Sequence, residues 1–118
     1  MGNVRSWAEM AAWFDARQGE DGDRWHRELI YPCMKKLAGS VAGLRVLDLA
    51  CGNGSLTRWL KREGANVTGA DGTLAMVECA RRRESEAPLG IEYMHCDAAK
   101  LEFTPANEFD LVDRKSVV

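Results

Sequence analysis

The first 40 residues carry apolar side chains at helical spacing. One set comprises Trp7, Met10, Trp13 and Phe14, and a second set, spaced every four residues, comprises Trp25, Leu29, Cys33 and Leu37. The first set predicts one helix, and the second predicts an apolar stripe along a helix over residues 23–37 that Pro32 kinks or divides. The polar segment 19–23 separates the two. We therefore expect residues 1–40 to form an N-terminal helical segment.

From residue 44 onward, short apolar runs alternate with helical patterns. The runs that predict strands are 44–50, 66–70, 91–96 and 109–112. The helical patterns have apolar faces formed by Leu56, Trp59 and Leu60, with a stop at Gly64, and, over residues 73–86, by Leu74, Val77 and Ala80. Strands that alternate with helices in this way specify a parallel sheet with crossover helices. The predicted fold class is α/β, with residues 41–118 as the domain that contains the sheet.

Composition narrows the class of protein without giving a function. At 118 residues and 46% hydrophobic, the chain is large enough for one globular core. Sixteen basic and eighteen acidic residues, with no long basic block, give no reason to expect a nucleic-acid partner. No apolar run reaches the roughly 18 residues that span a bilayer, and the charged N-terminus does not resemble a signal peptide. We expect a cytoplasmic protein without a membrane partner, and the four cysteines, which form no CxxC pair, predict no metal site.

The segment 48–54, with the sequence DLACGNG, stands between a predicted strand and a predicted helix. Gly52 and Gly54 would let the backbone turn sharply and approach a ligand, because a side chain there would block the approach or forbid the dihedral angles. Ligands of open α/β sheets bind beyond the carboxyl ends of the strands, which is where this turn falls. A lone glycine pair more often forms a tight turn without a ligand, so the neighbouring residues must distinguish a ligand-binding turn from a structural one.

Acidic residues end three consecutive predicted strands. Asp48 belongs to the first, Asp71 ends the second 23 residues later, and Asp97, followed by Ala98, ends the third. A carboxylate at the position of Asp71 can accept hydrogen bonds from both ribose hydroxyls of a nucleoside. The alternative is a helix cap, since Asp71 precedes a predicted helix that opens at Thr73.

These motifs resemble those of class I S-adenosylmethionine-dependent methyltransferases of the small-molecule branch. The first motif of that family is an acid followed by a glycine-rich turn, matched here by residues 46–54, VLDLACGNG. Residues 67–71, VTGAD, look like its second strand with the ribose acid, and residues 95–98, HCDA, look like its adenine-contacting segment. The segments LEF and EFDLV within residues 101–112 resemble the approach to its fourth strand. The resemblance covers about residues 7–112.

The resemblance implies a Rossmann-like parallel sheet in the order 3-2-1-4 and a site for S-adenosyl-L-methionine as the cofactor. The residues that it places in this site are Asp48, Ala50, Gly52, Asn53, Gly54, Asp71, Gly72, Leu74, Asp97 and Ala98. The residues of the turn would surround the methionine moiety, partly through backbone groups, while Asp71 would hold the ribose. Leu74 or its neighbours would cover the adenine face. Asp97 would accept a hydrogen bond from the exocyclic amine, and the Ala98 amide would reach a ring nitrogen.

The activity that the resemblance implies is methyl transfer to a small-molecule acceptor, without identifying the acceptor or a catalytic residue. Family members continue through further strands, whereas this sequence departs from the usual continuation after Val112. We therefore expect residues 41–118 to form a partial cofactor-binding domain with an incomplete sheet, in a truncated or frame-shifted product. The order 3-2-1-4 would leave the fourth strand as a bare edge, which invites self-association.

Two other functions stay open. An NAD(P)-binding oxidoreductase domain also has a glycine-rich turn after its first strand, but its fingerprint requires Gly or Ala where this chain has Thr57. The incomplete sheet is also compatible with a cofactor-binding or protein-interaction module that has no catalytic activity.

The reactive side chains outside these motifs have simpler interpretations. Cys51 precedes a helix N-terminus, and we expect it to pack in the interior rather than act as a nucleophile. His95, within the third strand, is expected to be a structural histidine. His26 is the more interesting candidate, because the N-terminal helix of similar methyltransferases packs over the cofactor. The basic run 81–83 is expected to interact with solvent and with the C-terminal dipole of its helix.

Overall fold

The structure, a computed structural model, describes residues 7–96 and 109–114. Its helices are α1 (Trp7–Gln18), a π-helix (His26–Ile30), α2 (Tyr31–Ala38), α3 (Ser55–Arg62) and α4 (Leu74–Glu86). Its strands are β1 (Arg45–Leu49), β2 (Asn66–Asp71), β3 (Glu92–His95) and β4 (Leu111–Arg114). The predicted alternation of strands and helices is confirmed. The predictions for residues 97–108, including those for Asp97 and Ala98, lie outside the described residues.

The four described strands form one parallel sheet in the order β3-β2-β1-β4, as predicted. β1 pairs with β2 on one side, where Asp48 stands opposite Gly69, and with β4 on the other, where Val46 stands opposite Leu111. β2 pairs with β3 so that its last residue, Asp71, stands opposite His95. The carboxyl ends of these strands therefore meet along one edge of the sheet.

The core forms where α3 and α4 pack on the sheet. Val46 of β1, Leu56 of α3 and Val77 of α4 are each at most 1% exposed and belong to one apolar cluster. Full burial of such a side chain stabilises a fold by about 1.5–3 kcal/mol. This packing fixes the starts of both helices at the carboxyl edge of the sheet, α3 directly after the glycine-rich turn and α4 shortly after Asp71.

The second N-terminal helix changes from a π-helix to α2 at Tyr31 and continues through Pro32, and its buried face differs from the prediction. The residues of the predicted apolar stripe are all exposed: Trp25, Leu29, Cys33 and Leu37. The backbone N–H of Tyr31 donates to the carbonyl of His26, five residues back, so the helix widens into a π-helix just before the proline. This widening brings a different set of side chains to the inner face. The ring of Tyr31 stacks on that of Trp59, with 5.1 Å between the ring centroids.

Candidate functional site

The turn after β1 crosses the carboxyl edge of the sheet with an uncommon backbone conformation. Ala50, Gly52 and Gly54 have positive φ angles of 56°, 59° and 88°. Glycine adopts such angles without strain, whereas the side chain of Ala50 makes them costly by about 1–2 kcal/mol. The conformational requirement predicted for the two glycines is confirmed. Strain held at a non-glycine residue is typical of functional sites, so Ala50 adds to the reasons for placing a ligand here.

The two glycines have different reasons for lacking a side chain. A Cβ on Gly54 would lie 2.5 Å from Tyr93 Oη and 2.8 Å from Arg58 Nη1, both of which pack beneath the turn. A Cβ on Gly52 would lie 3.3 Å from the ring of Phe14, which belongs to α1. Gly54 is therefore required by packing with α3 and β3, and Gly52 leaves room for α1 against the turn.

Asp71, the last residue of β2, joins the turn to the start of α4. Its Oδ2 accepts a hydrogen bond from the Gly52 N–H at 2.9 Å, and its Oδ1 accepts one from the Thr73 N–H at 2.8 Å. Thr73 itself occupies the N-cap position of α4, so Asp71 orders the residues before the helix rather than capping it. A carboxylate offers about four acceptor sites. The two bonds therefore leave this half-buried group with acceptor capacity for a ligand.

Asp48 lies beneath the turn instead of on its surface. It has no exposed surface, and its Oδ2 accepts a hydrogen bond from the hydroxyl of Thr57 at 2.7 Å. Thr57, also fully buried, stands where the dinucleotide fingerprint has Gly or Ala, and here its hydroxyl links α3 to β1. In this conformation the geometry provides no direct contact between the Asp48 side chain and a ligand.

The side chain of Asn53 is likewise directed into the protein. It is 1% exposed, and its Nδ2 donates to the carbonyl of Gly19 at 2.9 Å and to Asp15 Oδ1 at 3.0 Å. Its Oδ1 accepts a hydrogen bond from the Ser55 N–H at 3.3 Å. Protein groups therefore engage both ends of the amide, and in this conformation the Asn53 side chain does not face a ligand at the edge.

The residues after β2 form the other half of the edge. Gly72 is exposed, and its carbonyl oxygen lies 3.1 Å from His95 Nε2, which gives His95 the structural role that was predicted. Leu74 is 46% exposed, so its predicted inward orientation is wrong, and Met76 is buried in its place. An exposed leucine near an exposed glycine leaves an apolar surface close in sequence to Asp71, which suits the face of a planar ring.

Cys51 and His26, the two reactive side chains considered from the sequence, have different surroundings. Burial, followed by the nearby carboxylates of Asp48 and Asp71, raises the pKa of the Cys51 thiol far above its ordinary value, so the prediction that Cys51 packs in the interior is confirmed. His26 Nδ1 lies 2.7 Å from Asp23 Oδ1. Burial alone would raise the pKa of Asp23, but the hydrogen bonds from His26 hold it below its ordinary value. A functional role for His26 stays a prediction.

Sequence reasoning missed the charged groups that hold α1 in place. Arg82 and Arg83 of α4 both bind the carboxylate of Asp15 in α1, the latter through Nε at 2.7 Å. Arg81 donates to the carbonyl of Tyr93 from Nη2 at 2.8 Å. The prediction that residues 81–83 interact with solvent and with the C-terminal dipole of their helix is therefore incomplete. Local periodicity could not reveal these pairs, because Asp15 lies 67 and 68 residues away from its two arginines.

The described edge matches the chemistry of a nucleoside cofactor. Asp71 offers carboxylate acceptors suited to a ribose diol, Leu74 offers apolar surface, and the turn brings backbone groups to the end of β1. Within residues 7–96 and 109–114, no cluster of His, Cys, Asp and Glu could hold a metal ion. Asp71 and Leu74 fit an organic ligand that carries a ribose.

Known proteins show sequence similarity to this chain. A family model described as a methyltransferase domain matches residues 46–114. A ubiquinone biosynthesis O-methyltransferase from Nitrosococcus oceani is 42% identical over 73 residues, which are 62% of this chain and 31% of that protein. A protein of the same name from Bordetella avium is 35% identical over 79 residues, which are 67% of this chain and 33% of that protein. The chain thus spans about a third of the length of these curated relatives.

Solved structures share both fold and sequence with the chain. An S-adenosylmethionine-dependent methyltransferase from Mesorhizobium loti has a TM-score of 0.61 and 34% identity, covering 71% of this chain and 37% of that one. Phosphoethanolamine N-methyltransferase 2 of Haemonchus contortus, solved in complex with S-adenosyl-L-methionine, has a TM-score of 0.70 and 26% identity, covering 95% of this chain and 29% of that one. These matches favour the methyltransferase interpretation over the NAD(P)-binding one. Since the family model matches more than half of the residues of this chain, the chain belongs to the methyltransferase domain family.

Proposed function

We propose that this chain binds S-adenosyl-L-methionine at the carboxyl edge of β1 and β2, as the cofactor-binding part of an enzyme that methylates a small molecule. The observation that carries the proposal is the position of Asp71, whose carboxylate accepts a hydrogen bond from the Gly52 N–H at 2.9 Å. This contact holds an acceptor for ribose hydroxyls directly against the glycine-rich turn. Membership of the methyltransferase domain family supports the same activity.

Each exposed part of the edge would contact one part of the cofactor. Asp71 would accept hydrogen bonds from the ribose hydroxyls, and bonds to a charged group contribute about 1.5–3 kcal/mol. Leu74, with Gly72 nearby, would cover the adenine. Backbone groups at Ala50 and Gly52 would face the methionine moiety, which suits a turn whose positive φ angles expose its peptide groups.

The other predicted site residues would contribute in different ways. Asp48, Asn53 and Gly54 would support the turn from beneath, through the contacts that bury them. For Asp97 and Ala98, which lie outside the described residues, we retain the predicted contacts with the exocyclic amine and a ring nitrogen of adenine. The pairing of β3 with β2 supports this placement, because it brings the strand that leads to them beside Asp71.

The proposed chemistry depends mainly on placement. When bound, the cofactor supplies a methyl group that its sulfonium activates. Holding an acceptor atom in line with that group can contribute on the order of 7–11 kcal/mol. The relatives are named for ubiquinone biosynthesis and for phosphoethanolamine, and from these names we propose a small-molecule acceptor.

The location of the protein is a separate proposal. No helix within residues 7–96, which include every described helix, is long and apolar enough to cross a bilayer. We propose the cytoplasm, as expected from the sequence.

Binding and turnover can be tested separately on the 118-residue chain. Isothermal titration should show saturable binding of S-adenosylhomocysteine and no binding of NAD⁺ or NADP⁺. Preferential binding of a nicotinamide cofactor would refute the proposed site. Incubation with methyl-labelled S-adenosylmethionine and a panel of phenolic and amine acceptors then measures turnover. Cofactor binding without any methyl transfer by the purified chain would support the alternative of a non-catalytic cofactor-binding module.

We also propose that the chain self-associates through β4. β4 lies at one edge of the described sheet, and its residues Leu111 and Val112 are 36% and 42% exposed. An apolar edge strand presents backbone hydrogen-bonding groups to a second chain. Sedimentation velocity should therefore show concentration-dependent dimers that Val112→Lys reduces and Val112→Thr largely retains. A monomer at every soluble concentration would contradict this proposal.

A further inference from the structure

Arg58 of α3 has the largest side chain among the fully buried residues that the structure describes. Its guanidinium donates to three backbone carbonyls: from Nε to Glu20 at 2.7 Å, from Nη1 to Asn53 at 2.6 Å and from Nη2 to Gly19 at 3.2 Å. The Glu20 carboxylate also lies 3.1 Å from Nε. Because burying a charge without partners is very unfavourable, the guanidinium and these partners constrain one another's positions.

The three carbonyls belong to two separate parts of the chain. Asn53 is part of the glycine-rich turn, whereas Gly19 and Glu20 directly follow α1. The Asn53 side chain bridges the same two parts, since its Nδ2 donates to Gly19 at 2.9 Å and to Asp15 at 3.0 Å. A planar guanidinium with several fixed donors can hold such a junction, and its charge also complements the negative end of the α1 dipole.

This junction holds α1 over the proposed cofactor edge. The ring of Phe14 lies 3.3 Å from the position that a Cβ on Gly52 would take. α1 is also fixed to α4 by Asp15 Oδ1, which accepts a hydrogen bond from Arg83 Nε at 2.7 Å. α1 therefore contacts both the turn and the helix whose start follows Asp71.

We infer that Arg58 is a positioning residue for cofactor binding, which couples the conformation of the glycine-rich turn to that of α1. This inference rests on the proposed function, because it concerns the same cofactor site. Arg58 has no exposed surface and so acts through the turn rather than by touching the ligand. Mutations in a network that couples two parts of a protein change that coupling by up to about thirtyfold, and we expect the loss of Arg58 to weaken cofactor binding about tenfold.

The test compares Arg58→Met with Arg62→Met, using S-adenosylhomocysteine as the probe. Arg62 lies one turn further along α3 and pairs with Glu20 at 3.7 Å and Asp21 at 2.7 Å, so it holds the same segment without bridging it to the turn. Calorimetry should show an affinity about tenfold weaker for Arg58→Met and within about twofold of the wild type for Arg62→Met. Hydrogen exchange of residues 15–20 should be slowed by the ligand in the wild type and not in Arg58→Met.

Wild-type affinity in Arg58→Met overturns the inference, and so does an equal loss in Arg62→Met, which would assign the effect to general stability. A purely structural role predicts a lower melting temperature with unchanged affinity at temperatures well below it. If Arg58→Met does not fold, Arg58→Lys replaces it, because lysine keeps the charge but cannot reproduce the hydrogen bonds to all three carbonyls. The same affinities are then expected, and the same results overturn the inference. A wild-type chain that does not bind the probe overturns the proposed function as well as this inference.

Discussion

Replacing Gly54 with alanine should destabilise the fold through two separable costs. The φ angle of 88° costs a residue with a side chain about 1–2 kcal/mol. The new Cβ would also lie 2.5 Å from Tyr93 Oη and 2.8 Å from Arg58 Nη1, and overpacking of this kind costs about 1–3 kcal/mol. Alanine also lowers the conformational entropy of the unfolded chain relative to glycine, which offsets this loss of stability by about 0.4–1 kcal/mol. The expected net loss in the free energy of unfolding is about 1–5 kcal/mol.

Gly90→Ala is the matched control, because Gly90 has a φ angle of 81° and a Cβ added to it would have no neighbouring atom within 4 Å. It therefore carries the dihedral cost without the overpacking. Thermal unfolding followed by circular dichroism should place the midpoint of Gly54→Ala below that of Gly90→Ala by roughly 4–12 °C. Adding Tyr93→Phe to Gly54→Ala should recover part of the difference. Equal midpoints for the two alanine variants would refute the packing of Tyr93 against the turn.

Other buried groups around the turn give further expected outcomes. Burial would raise the pKa of Asp15, but hydrogen bonds from its partners hold it below the ordinary 3.8, so this stabilisation is present above about pH 4 and is lost as the pH falls through the lowered pKa. In Asp15→Asn, the free energy of unfolding, measured with urea, should therefore fall less steeply as the pH is lowered below about 4. The same pH dependence as in the wild type would contradict this contribution of Asp15. Thr57→Val should lower the free energy of unfolding by about 1–3 kcal/mol, because the buried Asp48 carboxylate loses a donor, and Thr57→Ser should lose less. Equal losses would contradict that hydrogen bond. Alkylation of the native protein, read by mass spectrometry, should modify exposed Cys33 and spare buried Cys51, and comparable rates would contradict the burial.

The sheet and its turn could be predicted because their signals are local. The apolar run around Val46 and Leu47 is buried with no exposed surface, as expected of a strand in a parallel sheet. The glycines that follow have the positive φ angles that their residue type suggests. The strand order followed from the resemblance rather than from the run itself, since no local pattern states which strands are neighbours.

The contacts that hold the site together could not be read from the sequence. Arg58 looks like an ordinary exposed helix residue, because the carbonyls that accept its hydrogen bonds lie 38 and 39 residues earlier in the chain as well as in the adjacent turn. The widened turn before Pro32 changes the phase of the helix, which a constant helical period does not represent. For Asp71, the sequence left a ribose ligand and a helix cap as alternatives, and the structure adds a third contact, with Gly52 across the turn.

The cofactor site is tested most directly by titrating S-adenosylhomocysteine into the wild type, Asp71→Ala and Glu84→Ala. Glu84 is a matched control, because its carboxylate also accepts backbone hydrogen bonds, from Leu89 and Gly90, but contributes nothing to the proposed edge. Both variants should melt at a lower temperature than the wild type. If Asp71 holds the ribose, affinity falls roughly ten- to a hundredfold in Asp71→Ala and is unchanged in Glu84→Ala. Affinity that is unchanged in Asp71→Ala would remove Asp71 from the site and contradict the proposed mode of cofactor binding.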